Sequence, residues 1–473
     1  MLEILTIIPL LFLLISVRYK NRKLNRIILF IYIAILYLTA FLCLSNNEYF
    51  ISTDFFSVFF TVDPISKLLF ALNCIIFSGV AVHSIFFLKN SNDNRWDSYY
   101  ISFILIFSSA VTASLFANHL GLLWVCIETA TLSSAVLIYY DRTKASLEAV
   151  WKYIFVCSIG ISFAFVGIII LLIASSGYES LFLSDININI SKFSIFWLKL
   201  SYVFLIIGFG TKMGLAPVHT WMPDTYSETP SPVSAMMSGI FLNSAFLAIF
   251  RITSFTNKAG LANFTSSILM FMGILSVVVS ALFLLRVRNY RRLLAYSSIE
   301  NMGIISIGLA SGGLALYGSI FHTIIHSLVK ASLFFSAGLI YEKYRTKEIA
   351  SVRGMVTSDP LTGWVWMTGI IAVSAFPPFA MFNSEFIIIT KLFSNGNIIK
   401  TIILLILLTV IIFCMISNSI KMCFYDIGIK ESIKSGIAKN AVQILFLLAA
   451  AILSFYIPDF MKDLINKVIV GYK

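Results

Sequence analysis

Fourteen apolar runs follow one another along this chain, and they constrain its fold more than any other feature. They centre near residues 10, 35, 77, 108, 130, 162, 206, 242, 275, 301, 327, 376, 410 and 448. A helix needs about 20 apolar residues to cross a hydrocarbon core of about 30 Å. Inside lipid every backbone amide and carbonyl has to be satisfied by the segment itself or by a closed sheet. Runs this long and continuous read as helices, so an all-α polytopic membrane protein of about 14 spans is predicted. Composition agrees: 59% of the 473 residues are hydrophobic, 12% are charged, and the mean hydropathy is +0.93. The longest polar-leaning stretch, roughly 174–195, is a loop between the sixth and seventh runs, too short for a soluble domain. The first run, ILTIIPLLFLLISV, has no basic n-region or small-residue cleavage pattern, and its charges follow it. It is expected to be a retained span and not a signal peptide.

The formal charge of +12 invites a nucleic-acid partner, but its distribution excludes one. Basic residues gather in alternate loops: RYKNRKLNR (18–26), RVRNYRR (286–292), EKYRTKE (342–348) and the lysines from Lys421 to Lys439. The loop NNEYFISTDFF (46–56) has no lysine or arginine. The positive-inside rule makes the basic loops cytoplasmic. An even number of spans then puts both termini on the outer side of a prokaryotic cytoplasmic (inner) membrane. TWMPDTYSETPSP (220–232) falls on the cytoplasmic side without a basic residue, a local exception.

Two spans are interrupted by glycine and proline near an ionisable residue. GFGTKMGLAPVHTWMP holds Gly214 and Pro217 beside Lys212; SAFPPFAMFNSEF holds Pro377 and Pro378 beside Glu385. Paired interruptions in corresponding halves point to an inverted repeat with the site at the breaks. The order of spans predicts two five-helix repeats, spans 4–8 and 9–13, with breaks in spans 7 and 12. The chain then divides into N-terminal spans (1–98), a first repeat (99–252), a second repeat (264–425) and a last span with its tail (440–473).

Charged groups at membrane depth cost roughly 2.5–3.5 kcal/mol each on insertion scales, and by default they mark an ion or proton path. Glu128, Lys212, Glu300, His322, His326, Lys330 and Glu385 all lie within apolar runs. His322, His326 and Lys330 are spaced i, i+4, i+8, on one helix face at about 6 Å per step, so waters are needed between them. Imidazole takes a proton on one nitrogen and gives one from the other near neutrality. Burial disfavours the charged form of an ammonium. The bland alternative, histidines pinning neighbouring helices, carries less weight for three such groups on one face. Glu128 and Lys212 form a natural coupled pair whose opening frees a proton; a static ion pair joining two helices is the alternative. Lys152 is either a further relay member or a snorkelling residue near a span end. Glu300 bridges the halves or makes polar contacts with Ser297 and Ser298. His83, His119 and the Asp63–Pro64 pair fit interfacial or turn roles, and Asp224 and Glu228 either draw protons inward or solvate their loop. The six cysteines form no CxxC pair and no Cys/His cluster, and read as buried apolar side chains.

These stretches resemble a known family. LLWVCIETATLSS, GTKMGLAPVHTWMPDTYSETPSPVSAMMSG, RRLLAYSSIENMG, FHTIIHSLVKASLFFSAG and FPPFAMFNSEF are similar to the antiporter-like membrane subunits of respiratory complex I, Mrp cation/proton antiporters and membrane-bound hydrogenases. The similarity runs over most of residues 60–425. ETATLSSAVLIYY, EAVWKYIFVCSIG and SSIENMG look most like hydrogenase-4 component F, of formate hydrogenlyase-type complexes. The resemblance implies a relay of Glu128, Lys152, Lys212, Glu300, His322, His326, Lys330 and Glu385. It implies protons (or Na+) as cargo, other antiporter-like subunits and a peripheral hydrogenase or dehydrogenase arm as partners. No cofactor is expected in this chain; nickel–iron and iron–sulfur centres are expected in partner subunits. An NADH:quinone-type or Mrp-type subunit is the sibling reading, and an inert scaffold the reading from another class. One departure stands out: Asn243 occupies a position where many relatives carry lysine or histidine, and asparagine holds no transferable proton.

Overall fold

The computed structural model describes residues 2–19, 21–45, 58–89, 93–175, 177, 180–425 and 435–472. The basic-free loop 46–56 and part of the basic loop between Lys421 and Lys439 lie outside the described residues. Among the described residues there is no β-sheet, only isolated bridges such as Phe60–Ala117. Eleven helical stretches are long and apolar enough to cross a membrane. The expected centre near residue 10 falls in the helix Leu2–Tyr19, outside that set. The centres near 242 and 275 fall in Ser231–Leu284, which Gly260 (φ +82) divides into two helices. The centre near 376 falls between Pro360–Val373 and Ala380–Ser394, each too short to cross alone.

The helices are α1 (Leu2–Tyr19), α2 (Arg22–Ser45), α3 (Pro64–Lys89), α4 (Asn94–Phe116), α5 (Leu120–Ile138), α6 (Lys144–Ala174), the short α7 (Leu183–Asn189) and α8 (Ile195–Met213). They continue as α9 (Trp221–Glu228), α10 (Ser231–Met236), α11 (Leu242–Thr256), α12 (Ala262–Leu284), α13 (Tyr290–Ser311) and α14 (Leu314–Tyr344). The last are α15 (Pro360–Val373), α16 (Ala380–Ser394), α17 (Ile398–Phe424), α18 (Ile437–Phe455) and α19 (Asp459–Tyr472). Local sequence sets several starts. Asp93 accepts from the amides of Arg95 and Trp96 to begin α4, Thr143 and Ser146 form a capping box for α6, and Asn289 caps α13. Runs of Ile, Leu and Phe then carry each helix on.

The chain parts into two compact units. The first comprises residues 1–213, 240–265 and 463–473; the second comprises 214–239 and 266–462. This grouping differs in outline from the four segments read off the sequence: the first unit takes in the N-terminal helices, and residues 214–239 belong with the second. In the first unit α6 packs along α8, α4 along α5 and α1, and α8 along α11. In the second, α14 is the hub, touching α10, α13, α15, α16 and α18. Its 18-residue apolar window is 94% buried, and His322, His326 and Lys330 are all among its buried residues. All six cysteines are buried and unbridged.

Both helix breaks are built by their punctuation residues. After Met213 the chain turns at Gly214 (φ +78), where a Cβ would meet the Met222 methyl at 2.1 Å, so only glycine fits. The freed amide of Ala216 donates to Ser276 Oγ at 2.9 Å, replacing a helical bond that Pro217 forbids further on. At the second break α15 stops at Val373, Ala375 takes φ +52, and Pro377–Pro378 leads into α16.

Candidate functional site

The first unit holds a buried ion pair. Lys212, in the last turn of α8, is completely buried; its Nζ donates to Glu128 Oε2 at 2.9 Å and to Thr131 Oγ1 at 2.7 Å. Glu128 and Thr131 stand one turn apart on α5, on the same helix face. Thr131 gives its own proton to the Ile127 carbonyl at 2.9 Å, so a hydroxyl lone pair faces the ammonium. The pair is asymmetric: the Lys212 side chain has no exposure, whereas that of Glu128 retains 16%. A proton released by the lysine therefore meets a carboxylate at the rim of the cluster. Beneath it Tyr153 and Ser134 share a hydroxyl–hydroxyl bond of 2.7 Å.

Backbone contact fixes where α8 presents Lys212. At Gly208 a Cβ would lie 2.5 Å from both the backbone nitrogen and the Cβ of Ala164, and at Gly160 2.5 Å from Thr211 Oγ1. Ser201 adds a hydrogen bond to the Gly167 carbonyl at 2.7 Å. Small residues at a membrane helix seam let two backbones close up, and here they bring α6 and α8 together beside the ion pair.

The second unit holds a longer polar cluster on α13, α14 and α16. His322 Nε2 lies 2.8 Å from Asn301 Oδ1, and its Nδ1 lies 2.9 Å from Ser384 Oγ. Asn301 directs its Nδ2 to Glu300 Oε2 at 2.8 Å and to the Ser297 carbonyl, so its oxygen faces the imidazole and Nε2 carries a proton. Ser384 also reaches the Met381 carbonyl at 2.8 Å. That hydroxyl has two destinations for one proton. When it donates to Nδ1 the ring is neutral; when it turns to Met381, its lone pair accepts from a protonated Nδ1. His322 can thus gain or lose a proton without orphaning any buried group. Two turns along α14, Lys330 donates to the Leu294 carbonyl at 2.7 Å and to the Ser297 hydroxyl. No carboxylate among the described residues is within ion-pair distance of it.

Glu300 and Glu385, both buried, line one small cavity with Ser297, Ser374 and the α17 residues Leu408 and Met415. Its volume of about 10 Å³ is close to that of a single water site. Ser374 Oγ is buried there with no hydrogen-bond partner among the described residues. The polar sequence His322–Asn301–Glu300 therefore continues, across a water-sized gap, to Glu385 and to the Ser297–Lys330 pair.

Not every residue singled out from the sequence joins these clusters. His326 stands on the expected face between His322 and Lys330 and is fully buried, yet neither ring nitrogen has a hydrogen-bond partner among the described residues. Lys152 lies on the exposed face of α6, paired at 2.7 Å with Glu148 one turn earlier, with side-chain exposures of 49% and 67%. Its neighbour Tyr153 faces inward instead. Asn243 is buried in α11, just after the wide turn Met237–Phe241. Asp224 and Glu228 pair with Arg292 at 2.6 Å and Lys347 at 2.6 Å. Asp63 caps α3 through the Ser66 amide and holds Arg251, while His119 accepts from the Leu122 amide at 3.3 Å to start α5. Burial lowers the pKa of His119 from its ordinary value, in keeping with an acceptor role. Thr131, Asn301 and Ser384 were missed by the sequence reading; each stands one to three positions from a titratable residue in an apolar run, and that proximity is the available signal.

Comparison with known proteins matches residues 117–413 to the transmembrane family described as NADH:quinone oxidoreductase/Mrp antiporter. Residues 1–114 match the amino terminus of NADH-ubiquinone oxidoreductase chain 4. The chain is 36% identical to a hydrogenase-4 component F homolog of Methylacidiphilum infernorum (isolate V4), over 60% of this chain and 61% of that protein. It is 29% identical to NADH-quinone oxidoreductase subunit N of Desulforudis audaxviator (strain MP104C), over 74% of this chain and 70% of that protein. The match to the first of these relatives thus spans about three fifths of its length. The fold matches a chain of the archaeal membrane-bound sulfane sulfur reductase with TM-score 0.90 and 21% identity, covering 100% of this chain and 97% of that one. It also matches a chain of the Mrp complex from Dietzia sp. DQ12-45-1b with TM-score 0.85 and 17% identity, covering 99% and 96%.

Proposed function

Because this chain belongs to the NADH:quinone oxidoreductase/Mrp antiporter transmembrane family, we propose that it is a proton-translocating subunit of a multisubunit membrane-bound hydrogenase or formate hydrogenlyase-type complex. The observation that carries the reading is Lys212, an ammonium with no exposure, held at 2.9 Å by a carboxylate at its cluster's rim. Such a group is costly at membrane depth unless its protonation changes serve the protein. In this reading, redox chemistry in partner subunits with nickel–iron and iron–sulfur centres moves Glu128 relative to Lys212, and the lysine gives up its proton. In the second unit the proton passes from His322 to Glu300 through water, with Asn301 holding the two in place, and on toward Glu385, with Lys330 as an adjacent store and His326 reached through water. Asparagine at 243 leaves the central connection to water. The two breaks, at Gly214–Pro217 and Pro377–Pro378, are taken as equivalent points of two inverted five-helix repeats. The basic loops face the cytoplasm, and both termini face outward.

A sibling subunit of an NADH:quinone oxidoreductase or Mrp-type antiporter is the second reading, favoured by the similarity to subunit N and by the Mrp fold match. Co-purification with a nickel–iron large subunit separates the two. The proton role itself is tested with Lys212→Ala in vesicles: substrate-driven proton pumping is expected to be lost while the complex still assembles. Pumping at the parent rate refutes the assignment.

A further inference from the structure

The end of the first unit where α3 begins, α4 and α11 end and α5 starts encloses a cavity of about 310 Å³. It is far from the Lys212 pair in sequence and composition, and nothing in the proposed proton path uses it. One wall is an arginine anchor. Arg251 is 8% exposed and donates to Asp63 Oδ2 (2.8 Å), Ser66 Oγ (2.9 Å) and the carbonyls of Leu115 (2.8 Å) and Ala117 (3.0 Å). These bonds neutralise Asp63, the cavity's one acidic side chain, and tie together the ends of α3, α4 and α11. Two more cations, Lys258 and Lys467, line the same space. Both are exposed, and neither is in an ion pair among the described residues. With Arg251 and Asp63 counted as neutral together, Lys258 and Lys467 leave the described lining with a net charge of about +2.

The rest of the lining is mixed, with polar Asn118, Asn187 and Ser254 beside apolar Pro64, Ile65 and Phe250 on the bundle side and Val468 on α19. The C-terminal part of α19 roofs the space. Its Ile465 and Val468 are buried, its Tyr472 ring lies tilted against Phe250 with centroids 5.0 Å apart, and Asn257 donates to the Tyr472 hydroxyl at 3.3 Å. The opposite face of this helix exposes Val470 at 75%, an arrangement suited to a helix lying at a lipid surface. A space this large, lined by two cations together with polar and apolar side chains, exceeds what a simple ion fills and matches an amphiphile.

We propose that this cavity binds the phosphate-bearing headgroup of an anionic phospholipid, with Lys258 and Lys467 on the phosphate and Pro64, Ile65 and Phe250 against the first carbons below it. A free phosphate ion shares the charge but leaves the apolar wall uncovered. The test uses the full chain in its complex, purified in detergent and exchanged into nanodiscs of phosphatidylglycerol or of phosphatidylcholine, with retained lipid counted by mass spectrometry after re-extraction. Phosphatidylglycerol is expected to be retained and phosphatidylcholine lost. In Lys258→Gln/Lys467→Gln, retention should weaken about 30-fold, at roughly a fivefold factor per basic residue near a membrane surface. Lys258→Arg/Lys467→Arg should keep it. If the double glutamine variant does not fold, each single one is expected to weaken retention about fivefold. Equal retention by parent and glutamine variants overturns the proposal, as does equal retention of the two lipids. Displacement by inorganic phosphate assigns the site to the free ion and overturns the lipid reading.

Discussion

Gly208→Ala tests whether the approach of α6 to α8 sets the position of Lys212. In a helix with room for a methyl, this change stabilises by roughly 0.5–1 kcal/mol, because alanine loses less backbone freedom than glycine. Here the added Cβ would sit 2.5 Å from the Ala164 backbone nitrogen, against 3.4 Å for the closest ordinary contact, a deficit of roughly 0.9 Å. The obstacle is helix backbone and cannot rotate away, so the two helices have to part by about that distance. Overpacking of this kind costs about 1–3 kcal/mol, which outweighs the propensity gain and makes the net effect destabilising. Lys212 lies one turn further along α8, so its contact with Glu128 lengthens from 2.9 Å toward 4 Å. At an effective dielectric of about 20, that weakens the pair by about 1.5 kcal/mol. The thermal midpoint of the purified complex should fall, and vesicle proton pumping should slow by about tenfold. Removing the Ala164 methyl in Gly208→Ala/Ala164→Gly should restore little, since the backbone nitrogen is as close as the Cβ. A Gly208→Ala protein at least as stable as the parent, pumping at the parent rate, refutes the argument.

Two further substitutions separate wiring from packing. Asn301→Leu keeps a similar volume but removes the amide that joins His322 to Glu300, leaving a buried imidazole nitrogen unpaired at a cost of about 1–3 kcal/mol. Pumping should fall far more than complex assembly, measured by gel filtration against proton uptake; parallel losses, or none, refute a linking role. Arg251→Met deletes the guanidinium that holds Asp63 and the carbonyls of Leu115 and Ala117, leaving an uncompensated carboxylate and two buried acceptors. Asp63 keeps 36% side-chain exposure and stays partly solvated, so the cost comes mainly from the unpaired carbonyls, about 1–3 kcal/mol each; the denaturation midpoint should fall, and an unchanged one would contradict the anchor.

What the sequence made legible follows from which physical constraints are one-dimensional. A span's length and apolarity are local, so helices at most of the expected centres could be read directly. The stop at Gly214 and the stop before Pro377 are also local, since a positive φ and a missing amide proton belong to the residue itself. The separate centres near 242 and 275 were legible for the same reason, since Gly260 at φ +82 divides Ser231–Leu284 into two helices. Facing is harder. Lys152 and Tyr153 differ by one position, about 100° of helix rotation, and that alone sends the lysine to the surface with Glu148 and the tyrosine inward to Ser134.

The histidine helix shows the limit most clearly. The spacing of His322, His326 and Lys330 fixed a shared face on α14, and a shared face invites a path running along the helix. Their partners, however, are decided by what packs against that face. His322 is served by residues 21 and 62 positions away, on α13 and α16, and Lys330 by residues 33 and 36 positions away, on α13. His326, midway between them, finds no hydrogen-bond partner for either ring nitrogen among the described residues. Hydrogen-bonded contact thus leaves α14 at His322, runs through Asn301 to Glu300, and resumes at the Ser297–Lys330 pair, so the groups most exposed to a wiring test are the neutral ones. A proton passed between His322 and Glu300 needs Ser384 and Asn301 to hold the imidazole and the carboxylate in place, and neither residue carries a charge that a sequence pattern can register.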